Sequence, residues 1–214
     1  MNQLLNFQTI AQLSSAAQVG AQIAIDFPEY RAGIIEYLAT NRAVHWELEV
    51  RQAAAKSIAT TLDKGDCLKL FRKHLPALLE QGLTKNNDFI LHGAVMTLST
   101  TYDFFIALED ESVKLKVQKI LDELINSRHF SNPASFSYIL RPSILDLLKV
   151  YAAEAKKTQN FDNFVEWIDS IQASVMKMGQ LPDALVELGL RGLCQSITPA
   201  IEILICALPE EKQL

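Results

Sequence analysis

The stretch FPEYRAGIIEYLATNRAVHWELEVRQAAAKSIATTL, residues 27–62, decides the fold of this chain. In its second half, apolar residues recur every three to four positions, at Val50, Ala54, Ile58 and Leu62, which is the spacing of one helix face. An aliphatic-rich segment precedes this face, and a short polar stretch separates the two. The sequence therefore predicts two antiparallel helices joined by a short turn, with small residues that let a neighbouring helix approach closely.

The remaining sequence repeats this helical periodicity between breaks made by proline, glycine and polar residues. Only 8 glycines and 7 prolines occur in 214 residues, and alternating runs of Val, Ile and Thr are absent, so strands are not predicted. With 49% apolar residues, the chain can bury a sizeable core. The predicted helices are 14–26, 30–40, 46–62, 67–82, 88–107, 113–127, 135–154, 161–178, 183–196 and 199–207.

Several residues predict how these helices begin, end or bend. The tripeptide Lys64-Gly65-Asp66 is typical of a turn. Asp88 is a suitable N-cap, because its carboxylate can accept free N–H groups of the first helical turn. Pro76 and Pro142 fall inside apolar-periodic segments, so each predicts a kink where a backbone hydrogen bond is lost. Pro199 lies where a helix can begin.

The start of the helix after the turn recurs at a spacing of about forty residues, which is typical of HEAT-type helical repeats. Residues 50–54, VRQAA, are followed by LHGA at residues 91–94, with looser aliphatic-basic patterns at 139–141 and 188–193. We expect an all-α, HEAT/armadillo-like α-solenoid (an α-α superhelix) of stacked antiparallel helix pairs, in which small residues bring the two matching helices together. No linker rich in Pro, Gly or Ser divides residues 1–214, so a single solenoid segment is predicted.

The net charge of −5 argues against nucleic acid as the main partner. The charge is uneven, since residues 42–85 carry eight basic and five acidic side chains, whereas residues 150–214 carry five basic and nine acidic ones. This gradient either orients an acidic partner toward the N-terminal half or reflects ordinary solvated helix faces. If a partner is involved, Arg42, Lys64 and Lys85 lie in or beside predicted turns and are the basic residues expected to reach it.

The sequence contains no catalytic or cofactor-binding motif of the Walker, GxGxxG, HExxH, CxxC or GxSxG type, so no catalytic, cofactor-binding or metal-binding residue is predicted. His45 and His92 lie near the starts of two predicted helices, where stabilising a turn is the expected role. Cys67 would have a lowered pKa if it lay at a helix N-terminus, although an inert thiol is the expected state. The remaining histidines and cysteines, His74, His129, Cys194 and Cys206, have no metal-ligand spacing.

Both tryptophans are expected to pack in the core or between repeats. Trp46 follows a polar loop and is therefore also the better candidate for a binding hot spot, whereas Trp167 lies inside a predicted helix. The odd number of cysteines favours a reducing compartment over a disulfide framework. Neither a charged leader nor a long apolar run is recognisable, so a cytoplasmic location is expected.

The chain resembles the tubulin-folding cofactor D family (tubulin-specific chaperone D). The resemblance rests on FPEY at residues 27–30, HW at 45–46, the VR..AA.S pattern at 50–57, and LPALLEQGLTKNNDFILHGAVMTL at 75–98. It covers roughly residues 20–105. Because the family's proteins are several times longer, the resemblance implies an internal HEAT-repeat segment of a longer protein, or a shortened form of it.

The resemblance also implies partners. Members of the family bind β-tubulin during assembly and disassembly of the αβ-tubulin heterodimer. They act with the sister cofactors E and C and with an Arf-like small GTPase. No catalytic residue of the family transfers to this chain, because any GTP hydrolysis belongs to its partners, and a cytoskeleton-associated, non-enzymatic role is expected.

Two other functional classes remain open from the sequence. One is a HEAT-repeat adaptor for different protein partners, of the transport-receptor or phosphatase-scaffold type. The other is an enzyme built on HEAT-like repeats, such as a DNA glycosylase. The acidic net charge argues against the second class, and salt-dependent DNA binding would support it.

Overall fold

A computed structural model describes residues 2–85, 87–108, 111–127, 130, 139–178 and 197–213. Every regular element in these ranges is helical, which confirms the predicted all-α class. The helices are α1 (Asn2–Asp26), α2 (Pro28–Tyr37), α3 (Leu48–Thr61), α4 (Lys64–Lys69), α5 (Leu75–Thr84), α6 (Asp88–Ile106), α7 (Glu111–Asn126), α8 (Leu140–Thr158), α9 (Phe164–Met178) and α10 (Thr198–Ala207). Two π-helical turns, Leu38–Arg42 and Leu70–His74, follow α2 and α4, and a short 3-10 turn lies at Glu210–Lys212.

The starts of α4 and α6 differ from the predictions, because in each case a side chain next to the predicted residue is the N-cap. Lys64, predicted to open a turn, begins α4, because the Asp63 carboxylate accepts the Asp66 N–H at 2.9 Å. Asn87, not Asp88, caps α6, since its side-chain oxygen accepts from the N–H groups of Phe89 and Ile90. The predicted helix 183–196 and the repeat-like pattern at 188–193 lie outside the described residues.

The two prolines predicted to kink helices both lie near helix starts, but different backbone precedes them. Pro76 is the second residue of α5 and directly follows the π-helical turn, in which the Leu75 N–H donates to the Leu70 carbonyl. The wider turn supplies the room that a proline ring needs against the preceding turn of the helix. The kink predicted at Pro142 is wrong, because Pro142 lies in the first turn of α8, where N–H groups lack intrahelical acceptors. Pro199 lies in the first turn of α10, as predicted.

The chain divides into two compact units, residues 1–114 and 115–214. In the first unit, α1 packs on α2 and α3, α3 packs on α6, and α5 packs on α6. The predicted contact between the helices that start near Val50 and Asp88 is therefore confirmed. Ala54 and Ala94, two of the small residues expected at this contact, are completely buried. Whether the two units continue one solenoid stays a prediction.

Two glycines allow α6 to approach its neighbours. A Cβ atom added to Gly93 would lie 2.6 Å from the carbonyl carbon of Ala43, in the chain just after the first π-helical turn, and closer still to the carbonyl oxygen. A Cβ atom added to Gly82 of α5 would lie 2.7–2.8 Å from main-chain and Cβ atoms of Leu91. Backbone cannot move aside as a flexible side chain can, so both sites require glycine.

In the second unit, α10 packs on α8 and α9. Trp167 is completely buried, as predicted, and its ring lies 5.6 Å from Tyr151 and 5.8 Å from Phe164. Its indole N–H donates to the Asp122 carboxylate at 3.3 Å, which satisfies the polar end of the buried ring. Burial, with a smaller contribution from the charge of Asp162, raises the pKa of Tyr151 to about 12.

Among the described helices, α6 is long and apolar enough to cross a membrane by length and composition alone. However, 56% of its apolar window is buried inside the protein, a property shared with the core helix of a globular unit. Its contacts with α3 and α5 account for this burial.

We expect Gly93→Ala to destabilise the first unit by about 1–3 kcal/mol, because the added methyl overlaps the Ala43 carbonyl group. Gly33→Ala is the matched control, since Gly33 is also helical and its added Cβ would meet nothing within 4 Å. There the better helix propensity of alanine should stabilise by about 0.5–1 kcal/mol. Chemical denaturation of both variants measures the difference, and midpoints shifted in the same direction would contradict the close approach.

Candidate functional site

The turn between α2 and α3 is held by one buried arginine. Arg51 is 1% exposed and lies in the first part of α3. Its Nη1 donates to the backbone carbonyls of His45 at 2.6 Å and Trp46 at 2.8 Å, and its Nε donates to Nδ1 of His92 at 2.9 Å. One side chain therefore joins the turn, the start of α3 and the start of α6.

Burial and the contact with Arg51 set the protonation state of His92. Because Nδ1 of His92 accepts a hydrogen bond, the imidazole is neutral and carries its proton on Nε2. Burial and, secondly, the positive charge of Arg51 lower the pKa of His92 to about 4. Burial also lowers the pKa of Arg51, against the smaller opposing effect of Glu47 and Glu49. The guanidinium thus remains a buried cation that relies on carbonyl oxygens and a neutral ring.

The turn presents Trp46 to solvent. Trp46 is 60% exposed, so the prediction that it packs in the core is wrong, and the alternative of an accessible hot spot fits its position. Its backbone carbonyl is held inward by Arg51, which directs the chain so that the indole faces outward. The His45 ring stacks on the indole with ring centres 5.6 Å apart, and His45 Nδ1 accepts the Glu47 N–H at 3.1 Å. His45 and His92 therefore stabilise the turn, as the sequence predicted.

Phe89 is a second aromatic residue at the same place. It is the second residue of α6 and is 41% exposed, and its ring lies 5.3 Å from the guanidinium carbon of Arg51. A cation over an aromatic face is a favourable contact, and here the Phe89 ring covers part of a guanidinium whose Nη2 has no hydrogen-bond partner among the described residues. We call Trp46 and Phe89, joined through Arg51, the aromatic edge.

The basic residues of the 42–85 segment are distributed in several environments. Lys64 and Lys85 are exposed, as predicted, while Arg42 is half-buried with its guanidinium carbon 5.3 Å from the Tyr37 ring centre. Lys69 and Lys73 both lie 3.5 Å from the Glu36 carboxylate, which lowers the pKa of Glu36, with Lys73 making the largest contribution. With Arg51 buried, the surface charge of this segment is smaller than the sequence count implies.

The metal-ligating and thiol side chains of the described ranges are dispersed. In those ranges no group of three His, Cys, Asp or Glu side chains is placed to hold a metal ion. Cys67 is buried near the start of α4, and burial raises the pKa of its thiol to about 12. The thiol is therefore in the expected inert, protonated state, and the position of Cys67 in α4 does not lower its pKa. His129 and Cys194 lie outside the described residues.

Sequence reasoning missed the link between Arg51 and His92 and the exposure of Phe89. The available signal was the recurrence of VRQAA as LHGA, which aligns Arg51 with His92 at equivalent positions of two helices. Stacked repeats place equivalent positions next to each other, so a donor and an acceptor there can pair. His45, Trp46, Arg51 and His92 thus meet in one hydrogen-bonded network.

No protein-family model, no curated protein and no solved structure matches this chain.

We expect stability to fall as the pH falls from 6.5 to about 4. In this window unfolded His92 binds a proton, whereas the buried native ring does not, so protons favour unfolding. At about 1.4 kcal/mol for each pKa unit, the loss is on the order of 3 kcal/mol. His92→Asn keeps an acceptor near Nδ1 without the titration, and urea denaturation at both pH values should show a much smaller loss. His45 and His74, whose pKa values are also lowered, remain in both proteins. Equal losses in the two proteins would contradict the assigned role of His92.

Proposed function

We propose that this chain is a segment of a HEAT/armadillo-like α-solenoid that serves as a protein-binding scaffold of the tubulin-folding cofactor D type. In this role it contributes to binding β-tubulin during assembly and disassembly of the αβ-tubulin heterodimer. The further partners are cofactors E and C and an Arf-like small GTPase. The proposed setting is cytoplasmic and cytoskeleton-associated, and the chain itself is proposed to have no enzymatic activity.

The solenoid part of the proposal is supported by the packing of the first unit. Helices α3 and α6 each follow a shorter helical segment, and α3 lies between α1 and α6. A row of packed second helices, each paired with the helix before it, is how HEAT-type repeats stack. Arg51 and His92 link equivalent positions in successive pairs.

The observation that carries the binding role is the exposure of Trp46 on a rigid turn. A large aromatic side chain left in water forgoes the free energy that its burial would give, so a partner that covers it gains that free energy, and tryptophan is enriched among residues that dominate binding energy. Arg51 fixes the carbonyls of residues 45 and 46, so little conformational freedom is lost when a partner covers the ring. Phe89 extends the same surface.

The cofactor D assignment is supported by where its motifs lie. The HW pair, the VR pair and the His-Gly-Ala sequence, on which the resemblance rests, meet around Arg51. Each has a physical task there: His45 and Trp46 supply carbonyls, His92 supplies an acceptor, and Gly93 gives space to the Ala43 carbonyl group. The motif is thus one structural unit, and the exposed part of that unit is the aromatic edge.

We expect the chain to co-sediment with αβ-tubulin or to be retained on immobilised tubulin, and Trp46→Ala to weaken this binding by about tenfold or more, as for a typical hot spot. Phe104→Ala is the control, because Phe104 is 40% exposed on α6 but lies roughly 22 Å along the helix from Phe89. Melting temperatures of both variants should match that of the wild type.

The outcomes separate the alternatives. Capture of a different protein from cell extract, lost with Trp46→Ala and kept with Phe104→Ala, would replace tubulin with another partner and support the adaptor class. Tubulin binding that is unchanged by Trp46→Ala would remove the aromatic edge from the proposal. Salt-dependent retention of DNA would instead support the enzyme class.

We expect the double reversal of Lys64 and Lys85 to Glu to slow association with tubulin more than it changes stability. Both side chains are exposed, so each contributes little to folding, yet exposed charges steer an acidic partner during approach. Stopped-flow association at low and at high salt measures the effect, which should shrink as salt rises. The double substitution Lys64→Gln and Lys85→Gln should give an intermediate rate, and equal rates for all three proteins would contradict electrostatic steering.

A further inference from the structure

A groove of about 400 Å³ lies between α1 and α2, on a part of the first unit that the aromatic edge does not line. Small residues leave the space open: a Cβ atom added to Gly33 would meet nothing within 4 Å. Two aromatic side chains border the groove with much of their surface in water, Tyr30 at 59% exposed and Tyr37 at 47%. Its other principal lining residues are Ala16, Gly20 and Arg42.

The charge of the groove is one-sided. Among the lining residues that the structure describes, only Arg42 is charged. Its guanidinium is stacked over Tyr37, and no ion pair to it occurs among the described residues. The carboxylate on the neighbouring part of α2, Glu36, is held by Lys69 and Lys73. An arginine fixed over an aromatic ring keeps its planar donor edge available, which suits two-point recognition of a carboxylate.

The size of the groove limits what it can hold. Its volume is near the lower end of the range of about 300–1,000 Å³ found for small-ligand sites, which is enough for one or two side chains but not for a folded element. The lining is otherwise apolar and aromatic, so the side chain that enters must be apolar. The charge of Arg42 and the shape of the groove together require a ligand that carries an apolar side chain close to a carboxylate.

We propose that this groove binds a short acidic peptide segment of a partner protein, with one apolar side chain between Tyr30 and Tyr37 and an adjacent carboxylate on Arg42. The occupant is a peptide because a chain of residues supplies both groups at a fixed, short separation. Tubulin binding at the aromatic edge is not required for this site, so the two proposals stand or fall separately.

The test uses fluorescein-labelled short peptides with a central Leu or Phe flanked by Glu, by Gln or by Lys, and the full chain titrated in fluorescence polarisation. We expect the Glu-flanked peptides to bind about tenfold more tightly than the Gln-flanked ones, and the Lys-flanked ones not to bind. Arg42→Gln should remove the difference between Glu and Gln. Gly33→Leu should fill the groove and abolish binding of every peptide, with helical content retained because leucine favours a helix.

Two control variants separate this site from its surroundings. Lys56→Gln removes an exposed cation of α3, and Phe104→Ala removes a half-exposed ring of α6; neither residue lines the groove, so both variants should leave peptide affinity unchanged. Equal binding of Glu- and Gln-flanked peptides, or peptide binding that survives Gly33→Leu, would overturn the proposal. Concentration-dependent dimerisation in sedimentation equilibrium that Gly33→Leu abolishes would also overturn it, because the occupant would then be a second copy of the chain.

Discussion

The first unit depends on one hydrogen-bonded cation, the guanidinium of Arg51. Moving such a group out of water is costly unless its donors find acceptors, and Arg51 has three described acceptors, two carbonyls and one imidazole nitrogen. Removing it would leave one buried imidazole nitrogen and two partly buried carbonyls without their donor, at a cost of about 1–3 kcal/mol for a fully buried group left unsatisfied. The same side chain packs on Phe89. The turn, α3 and α6 are therefore stabilised by a single residue that lies at their meeting point.

The backbone before the turn that Arg51 holds is wound more widely than an α-helix. In the π-helical turn Leu38–Arg42, the Ala43 N–H donates to the Leu38 carbonyl at 2.7 Å, five residues back. The carbonyl group of Ala43 then lies against Gly93, at a distance that no side chain at position 93 would permit. Helix winding in one segment and the absence of a Cβ atom in another thus set the position of the turn relative to α6.

The sequence was sufficient for those features that depend on periodicity, and insufficient for those that depend on a distant partner. The apolar stripe of Val50, Ala54 and Ile58 is buried as expected, because a helix face with that spacing has to meet another apolar surface. The cap at Asn87 and the helix begun at Lys64 were missed because adjacent residues, Asn or Asp, compete for the same N–H groups. Trp46 was wrongly predicted to be buried, because the burial of an aromatic ring depends on which other element packs against it, and the sequence alone does not show that. In the candidate site, the motif residues could be identified from the sequence. The contact between Arg51 and His92 could not, because it depends on how α3 and α6 pack together.

The pairing of Arg51 with His92 has a consequence for how this protein can change over evolutionary time. A neutral imidazole nitrogen is one of few side-chain acceptors that fit beside a buried guanidinium without adding a second charge, and an apolar or cationic group at position 92 would leave the Arg51 Nε–H without an acceptor. Replacement of Arg51 alone would likewise strand the two carbonyls of the turn. Viable sequences should therefore keep a neutral acceptor at position 92 wherever they keep Arg51. The two positions should therefore covary, although 40 residues of chain lie between them.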